Sequence, residues 1–285
     1  MSPAPVDIPA ADREGWRVML AGLDQATWRF GPRLEAAFAI GSLAHGGFAP
    51  AASDVDLALV LTEMDGEEAR AAEDVRKSIR REIGGDLGGR LSIFWSSWTE
   101  LEASSGGGRF PLADRWDLKR HGRVLEGADR RERIRLPDGE TLKRLLVREG
   151  GGFMLEKLAT DARNELLRQP DLLAGKGCRE VTKAVLFPAR FLYTAQFGEP
   201  AGNEAAALYV ASAWPGPIGD LARAAYAWRT SGELAAPAEV KALLAAGVIP
   251  LHRAAIEAYR VRLDAQGEIG LARGLERWGD ELAPR

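Results

Sequence analysis

The chain has 285 residues, 46% of them hydrophobic and 28% charged, which suits one large or two ordinary soluble globular domains with a sizeable buried core. A formal net charge of −3 implies no sequence-independent grip on nucleic acid or on an anionic membrane, so neither is expected as a partner. Cys178 is the single cysteine; it excludes an internal disulfide and fits a reducing compartment. Met1 to Asp12 lacks the basic region and apolar stretch of a secretory signal, and no apolar run approaches the ~18 residues of a membrane helix. A cytoplasmic protein is the expectation.

From about Ala10 to Phe30, Trp16, Val18, Met19, Leu20, Leu23 and Trp28 recur at mixed three- and four-residue spacings and predict a helix. Ala36 to Ile40 is a short apolar run closed by Gly41 and reads as a buried strand. A loop rich in Gly, Pro and Ala leads to a second strand, Val55 to Leu61. The charged stretch Asp65 to Glu82, with Val75 and Ile79 on one side, predicts a surface helix, and Leu91 to Trp95 a third strand. Helix, strand, strand, helix, strand indicates an α/β (α+β) layer with a small mixed sheet.

From about residue 138 the strands stop. Leu142, Leu145 and Leu146, then Leu155, Leu158, Ala159, Ala162, Leu166 and Leu167, recur at helical spacing, broken by Gly150-Gly151-Gly152. Further helices are predicted near 178–197, 203–213, 217–231, 237–246 and 250–265, a succession that describes an all-α helical bundle. The expected domains are therefore residues 1–130 and 131–285, joined in the basic, polar segment Arg130 to Gly139, with a cleft between them. Pro188 inside the 178–197 helix is expected to kink it and to free the carbonyl of Ala184.

The chemistry concentrates in Ile40-Gly41-Ser42-Leu43-Ala44-His45, followed after a loop by Ser53-Asp54-Val55-Asp56-Leu57. Two carboxylates at i and i+2 on a strand project to one face, where they repel each other unless a cation sits between them. Mg²⁺ prefers oxygen ligands and keeps one or two carboxylates, completing its shell with water and substrate phosphate oxygens. A Gly-Ser turn at the end of the preceding strand lets the backbone approach a polyphosphate, with the Ser42 hydroxyl and nearby N–H groups as donors. Either element alone is commonly a solvated turn; together, at this spacing, they form a platform for metal-assisted in-line attack at phosphorus.

Gly41-Ser42 followed by Ser53-Asp54-Val55-Asp56 resembles the signature of the polymerase-beta-type nucleotidyltransferase superfamily. The resemblance implies that Asp54 and Asp56 bind Mg²⁺ and carry the catalysis, and that Gly41, Ser42 and Ser53 contact the phosphates of a nucleoside triphosphate. His121-Gly122-Arg123-Val124-Leu125-Glu126-Gly127 is similar to the segment that closes this domain in bacterial minor nucleotidyltransferases. Ala189-Arg190-Phe191-Leu192-Tyr193 to Gly198, with Asn203-Glu204-Ala205-Ala206-Ala207, resembles the helical domain of aminoglycoside adenylyltransferases. The implied activity is adenylyl transfer from ATP to a hydroxyl of a small, aminoglycoside-like acceptor.

Two positions depart from that pattern. Ser92 stands where the family places a third acid on the third strand, and serine neither holds a second metal nor accepts a proton effectively at neutral pH. Asp86, Glu100 and Glu102 are the nearest acids along the chain, none in register, and Glu149 or Glu156 of the helical domain is an alternative source of the base. Asn203 stands where a phosphate-facing lysine is expected; Arg190 and Lys183 either compensate or are surface charges. The double loss leaves open a rival: a catalytically degenerate protein of this fold that binds nucleotide or a partner. Trp95 and Trp98, among eight tryptophans, either stack on a base or sugar or pack in the core. Ser104-Ser105-Gly106-Gly107-Gly108 reads as a flexible loop, a lid or a plain connector. His45 is a loop residue or a phosphate ligand, while His121 and His252 read as structural or exposed.

Overall fold

The computed structural model describes residues 9–103 and 107–283. Most of the segment read for a leader, and Ser104 to Gly106 of the serine-glycine loop, lie outside the described residues. The chain divides into two compact units, Met1–Pro137 and Asp138–Arg285.

In the first unit, α1 (Arg13–Phe30) leads into β1 (Leu34–Ile40), the one-turn α2 (Ser42–His45) and β2 (Val55–Leu61). Next come α3 (Glu68–Ile83), the short α4 (Gly85–Gly88), β3 (Leu91–Ser97), α5 (Trp98–Ala103), α6 (Leu112–His121) and β4 (Arg123–Gly127). The sheet is mixed and runs β3-β2-β1-β4. β1 is antiparallel to β2 and β4, and β2 is parallel to β3. β4, α5 and α6 are additions to the elements expected from sequence.

Period-two alternation sorts the strand residues between two cores. Ala37, Ala39, Leu57, Leu59, Leu91 and Ile93 join Val18 and Met19 of α1 and Val75 and Ile79 of α3. The opposite face sends Phe38, Ile40, Ala58, Val60 and Phe94 against Trp98 and Leu101 of α5 and Leu118 of α6. Asp54, Asp56 and Ser92 share parity with Ala58 and Phe94, so they belong to the α5–α6 face, at the sheet end where β1 finishes and β2 and β3 begin.

Among the described residues, the second unit contains only helices and their connections: α7 (Gly139–Phe153), a π-helical turn (Met154–Leu158), α8 (Asp161–Arg168), α9 (Pro170–Ala174), α10 (Cys178–Phe197), α11 (Asn203–Ala213), α12 (Pro217–Ser231), α13 (Pro237–Ala265) and α14 (Ile269–Glu281). Two breaks expected from sequence are absent. Gly150 to Gly152 lie inside α7, and bulk is excluded at the first two: a methyl built on Gly150 would stand 2.7 Å from Tyr259 Cε1, and one on Gly151 2.8 Å from Leu263 Cδ1. Gly150 and Gly151 let α13 approach closely. Pro250 likewise interrupts nothing; α13 runs through it as one helix of 29 residues, held by Val248, Leu251, Ala255 and Ile256 in the core.

Pro188 also lies within a continuous helix, α10. It has no N–H to offer Ala184, four residues earlier. His252 of α13 fills the gap: its Nε2–H donates to the Ala184 carbonyl at 2.8 Å. The imidazole is 1% exposed, and burial lowers its pKa to about 4, against a raising effect of the Ala184 hydrogen bond and a further lowering by Arg163. His252 is structural. Cys178 Sγ–H donates to the Trp228 carbonyl at 3.3 Å, and burial raises its pKa, which makes it a poor nucleophile. No described helix is long and apolar enough to cross a membrane.

Candidate functional site

Gly41 ends β1 with φ 68° and ψ −155°, a conformation open to glycine and strained for any other residue. The last ladder pair before it is Ile40 with Asp56, so the turn leaves the sheet directly beside that aspartate. The approach is close: a methyl on Gly41 would meet Asp56 Oδ2 at 2.5 Å. The Ser42 hydroxyl donates to Ser53 Oγ at 3.2 Å, and Ser53 Oγ accepts the Ala49 N–H at 2.9 Å. Ser53 is 2% exposed, so its hydroxyl ties the turn to the base of the following loop. Asp54 and Asp56 are both half-buried, on either side of the fully buried Val55.

The loop between turn and aspartates is anchored at both ends. Phe48 packs into the α1 core, against Gly15. Arg90, at the start of β3, donates through Nη1 to the Ser53 carbonyl at 2.8 Å and through Nη2 to the Pro50 carbonyl at 2.5 Å. The guanidinium thereby holds the backbone immediately before Asp54. Nothing in the sequence marks Arg90 for this role.

Ser92 is the direct cross-strand partner of Asp56 in the parallel β2–β3 register, so a hydroxyl occupies the place opposite the carboxylate. The neighbouring acids are engaged elsewhere. Asp86 pairs with Arg90 at 3.2 Å, Glu100 Oε2 accepts the Gly107 N–H at 3.1 Å, and Glu102 lies 3.9 Å from Arg133. Glu149 and Glu156 belong to the second unit, where Glu156 pairs with Lys157 at 2.6 Å. Among the described residues, no group of three or more His, Cys, Asp or Glu side chains is arranged to hold a metal ion. Two carboxylates without a third fit Mg²⁺ that arrives with substrate phosphates and do not make a closed protein cage.

The other sequence candidates sort as follows. Trp98 is 4% exposed and packs edge-on against Phe38 at 6.0 Å, which makes it core. Trp95 is half-buried, with the Arg109 guanidinium 5.9 Å from its ring centre. Arg190 lies in α10 of the second unit, where its Nε donates to the Ala201 carbonyl at 2.9 Å. Lys183 sits over the Phe187 ring at 5.8 Å, and Asn203 is the first residue of α11. His45 is exposed at the end of α2, and its ring stacks edge-on with His121 at 5.7 Å.

A mixed four-stranded sheet with the Gly-Ser turn and aspartate pair at one end, followed by a helical unit, is the nucleotidyltransferase fold. No protein-family model and no curated protein matches the sequence. Among solved structures, the chain is similar to the spectinomycin adenyltransferase AAD(9) from Enterococcus faecialis, crystallised with ATP and spectinomycin. The likeness has a TM-score of 0.54 and 14% sequence identity, over 80% of this chain and 98% of that one. At that identity it establishes the fold, and the activity has to be argued from the site.

Proposed function

We propose that the protein is a nucleotidyltransferase that moves an adenylyl group from Mg–ATP to a hydroxyl of a small, aminoglycoside-like acceptor. The acceptor hydroxyl gives its proton to a general base as its oxygen attacks the α-phosphorus in line, the bond to the α–β bridging oxygen breaks, and pyrophosphate leaves. In this reading residues 1–130 form the nucleotide-binding domain and residues 131–285 the helical one. The observation that carries it is the packing of Gly41 on Asp56, together with the Ser42–Ser53 hydrogen bond, which makes the turn and the aspartate pair one site.

Asp54 and Asp56 hold the Mg²⁺ that accompanies ATP. When bound, that ion neutralises charge on the phosphate oxygens as the leaving group departs. Gly41 presents the backbone closely enough for the β- and γ-phosphates to lie against it, and the Ser42 hydroxyl reorients from Ser53 to a phosphate oxygen. Ser53 acts through Ser42. The acceptor class rests on the AAD(9) likeness, since AAD(9) was crystallised with ATP and spectinomycin.

The neutral Ser92 opposite Asp56 favours a second reading, a binding protein that has lost efficient catalysis. One experiment separates the two: transfer of label from α-labelled ATP, with pyrophosphate release, across a panel of aminoglycoside and aminocyclitol acceptors. An active enzyme transfers label, and Asp54→Asn abolishes the transfer; transfer that survives the substitution refutes the metal role. An inactive wild type that gains activity on Ser92→Asp marks a degenerate catalytic site. Tight Mg–ATP binding with no gain marks a binding function.

A further inference from the structure

α6 and the start of β4 grip the Gly41–His45 turn at three points. The Gly41 N–H lies past the last β1–β2 ladder pair, and a main-chain donor left there needs another acceptor. Asp117 Oδ2 supplies it at 2.5 Å. Arg123 Nε donates to the Ala44 carbonyl at 2.8 Å, at the other end of the turn. Between them the His121 ring meets His45 edge-on at 5.7 Å and is itself backed by Trp116 at 5.5 Å. The grip has a firm base: Leu118, one residue after Asp117, is fully buried under the sheet, and Arg123 pairs with Ala39 of β1.

Asp117 was invisible as a site residue in the sequence, yet it is the carboxylate bonded to the turn itself. Gly41 is thus bracketed by two acids, Asp56 against its α-carbon and Asp117 on its nitrogen. The backbone of Gly41 has other conformations open to it, since glycine populates much of φ/ψ space. A charge-assisted hydrogen bond on its N–H selects one peptide orientation.

We propose that Asp117 is a positioning residue for the nucleotide: it fixes the Gly41 peptide so that the turn meets the triphosphate already in its binding geometry. This rests on the reading of Gly41 and Ser42 as the phosphate cradle and adds the group that pre-organises it. The side chain acts through the Gly41 peptide it holds, so its loss acts on nucleotide affinity and leaves acceptor affinity alone.

The test is titration of the full-length protein with Mg²⁺ and a non-hydrolysable ATP analogue, for wild type, Asp117→Ala and Asp117→Asn. Asparagine offers an oxygen to the same N–H, whereas alanine offers nothing. Removing the charged acceptor is expected to weaken nucleotide binding about tenfold or more in Asp117→Ala, with Asp117→Asn recovering to within about threefold of wild type. The KM for ATP follows the same order, and the KM for the acceptor stays unchanged. Hydrogen exchange over residues 38–47 accelerates in Asp117→Ala while α1 and α3 keep their protection, which separates local release from unfolding. Asp117→Ala binding the analogue as wild type does overturns the proposal, and so does Asp117→Asn binding as weakly as alanine. A wild type with no affinity for the analogue refutes the cradle reading itself, an outcome distinct from either.

Discussion

Replacing Gly41 by alanine sets a methyl group 2.5 Å from Asp56 Oδ2 and forces an L-residue to adopt φ 68°, ψ −155°. Backbone strain of this kind costs on the order of 1–3 kcal/mol, a loss that a domain stable by ~5–15 kcal/mol survives. The contact cannot stay at 2.5 Å, because carbon and oxygen separate to about 3.5 Å in ordinary van der Waals contact. Either the Asp56 carboxylate or the turn must therefore give way by about 1 Å, and a misplacement of that size at a reacting centre costs ~10²-fold in rate. The variant is expected to stay folded, with a melting temperature a few degrees lower, and to lose about two orders of magnitude in kcat/KM for ATP. Circular dichroism melts and the label-transfer assay measure the two effects separately. A folded Gly41→Ala protein with kcat/KM within about threefold of wild type would refute the claim that turn and aspartate form one site.

Two further predictions concern the helical unit. His252 is held neutral in the fold at a pKa of about 4, against an ordinary value of 6.5. Between those values the unfolded chain binds a proton that the native one does not, so stability is intact above pH ~6.5 and falls toward pH 4, by about 3 kcal/mol for this group. Urea titrations at pH 7 and pH 4.5, followed by tryptophan fluorescence, should show a smaller pH-dependent loss in His252→Asn, which cannot titrate; an equal loss in both proteins would be the contrary result. In α7, Gly150→Ala places a methyl 2.7 Å from a Tyr259 that is fully buried. Overpacking of about 1–3 kcal/mol should outweigh the ~1 kcal/mol that alanine gains over glycine in a helix. At Gly152 nothing lies within 4 Å, so Gly152→Ala should raise the melting temperature, and thermal melts of the pair decide whether close packing explains the glycines.

The elements that build the site were legible because their signals are local. Ala36 to Ile40 and Val55 to Leu61 are buried over most of their length, so their apolar runs stand out whatever surrounds them. β4 gave no such signal: Arg123-Val124-Leu125-Glu126-Gly127 is an edge strand with no fully buried residue, and it is a strand because β1 offers it an open ladder. The breaks expected at Gly150–Gly152 and between residues 246 and 250 follow from intrinsic helix propensity, which tertiary packing against Tyr259, Leu263 and the α13 core overrides. Pro188 shows both sides. The freed Ala184 carbonyl was readable from the chain, whereas its partner, His252, comes from a helix far along it.

The sequence by itself determined the elements of the candidate site: strand, Gly-Ser turn, loop, and paired aspartates on the next strand, each of which follows from backbone period and side-chain type. The three-dimensional arrangement alone decided who holds those groups in place. Arg90 on the Ser53 carbonyl, Asp117 on the Gly41 N–H and Ser92 opposite Asp56 are contacts between residues distant along the chain. Their side chains have many alternative uses in sequence, and only sheet register and helix packing select among them, since hydrogen bonds act over about 3 Å and carry no trace along the chain.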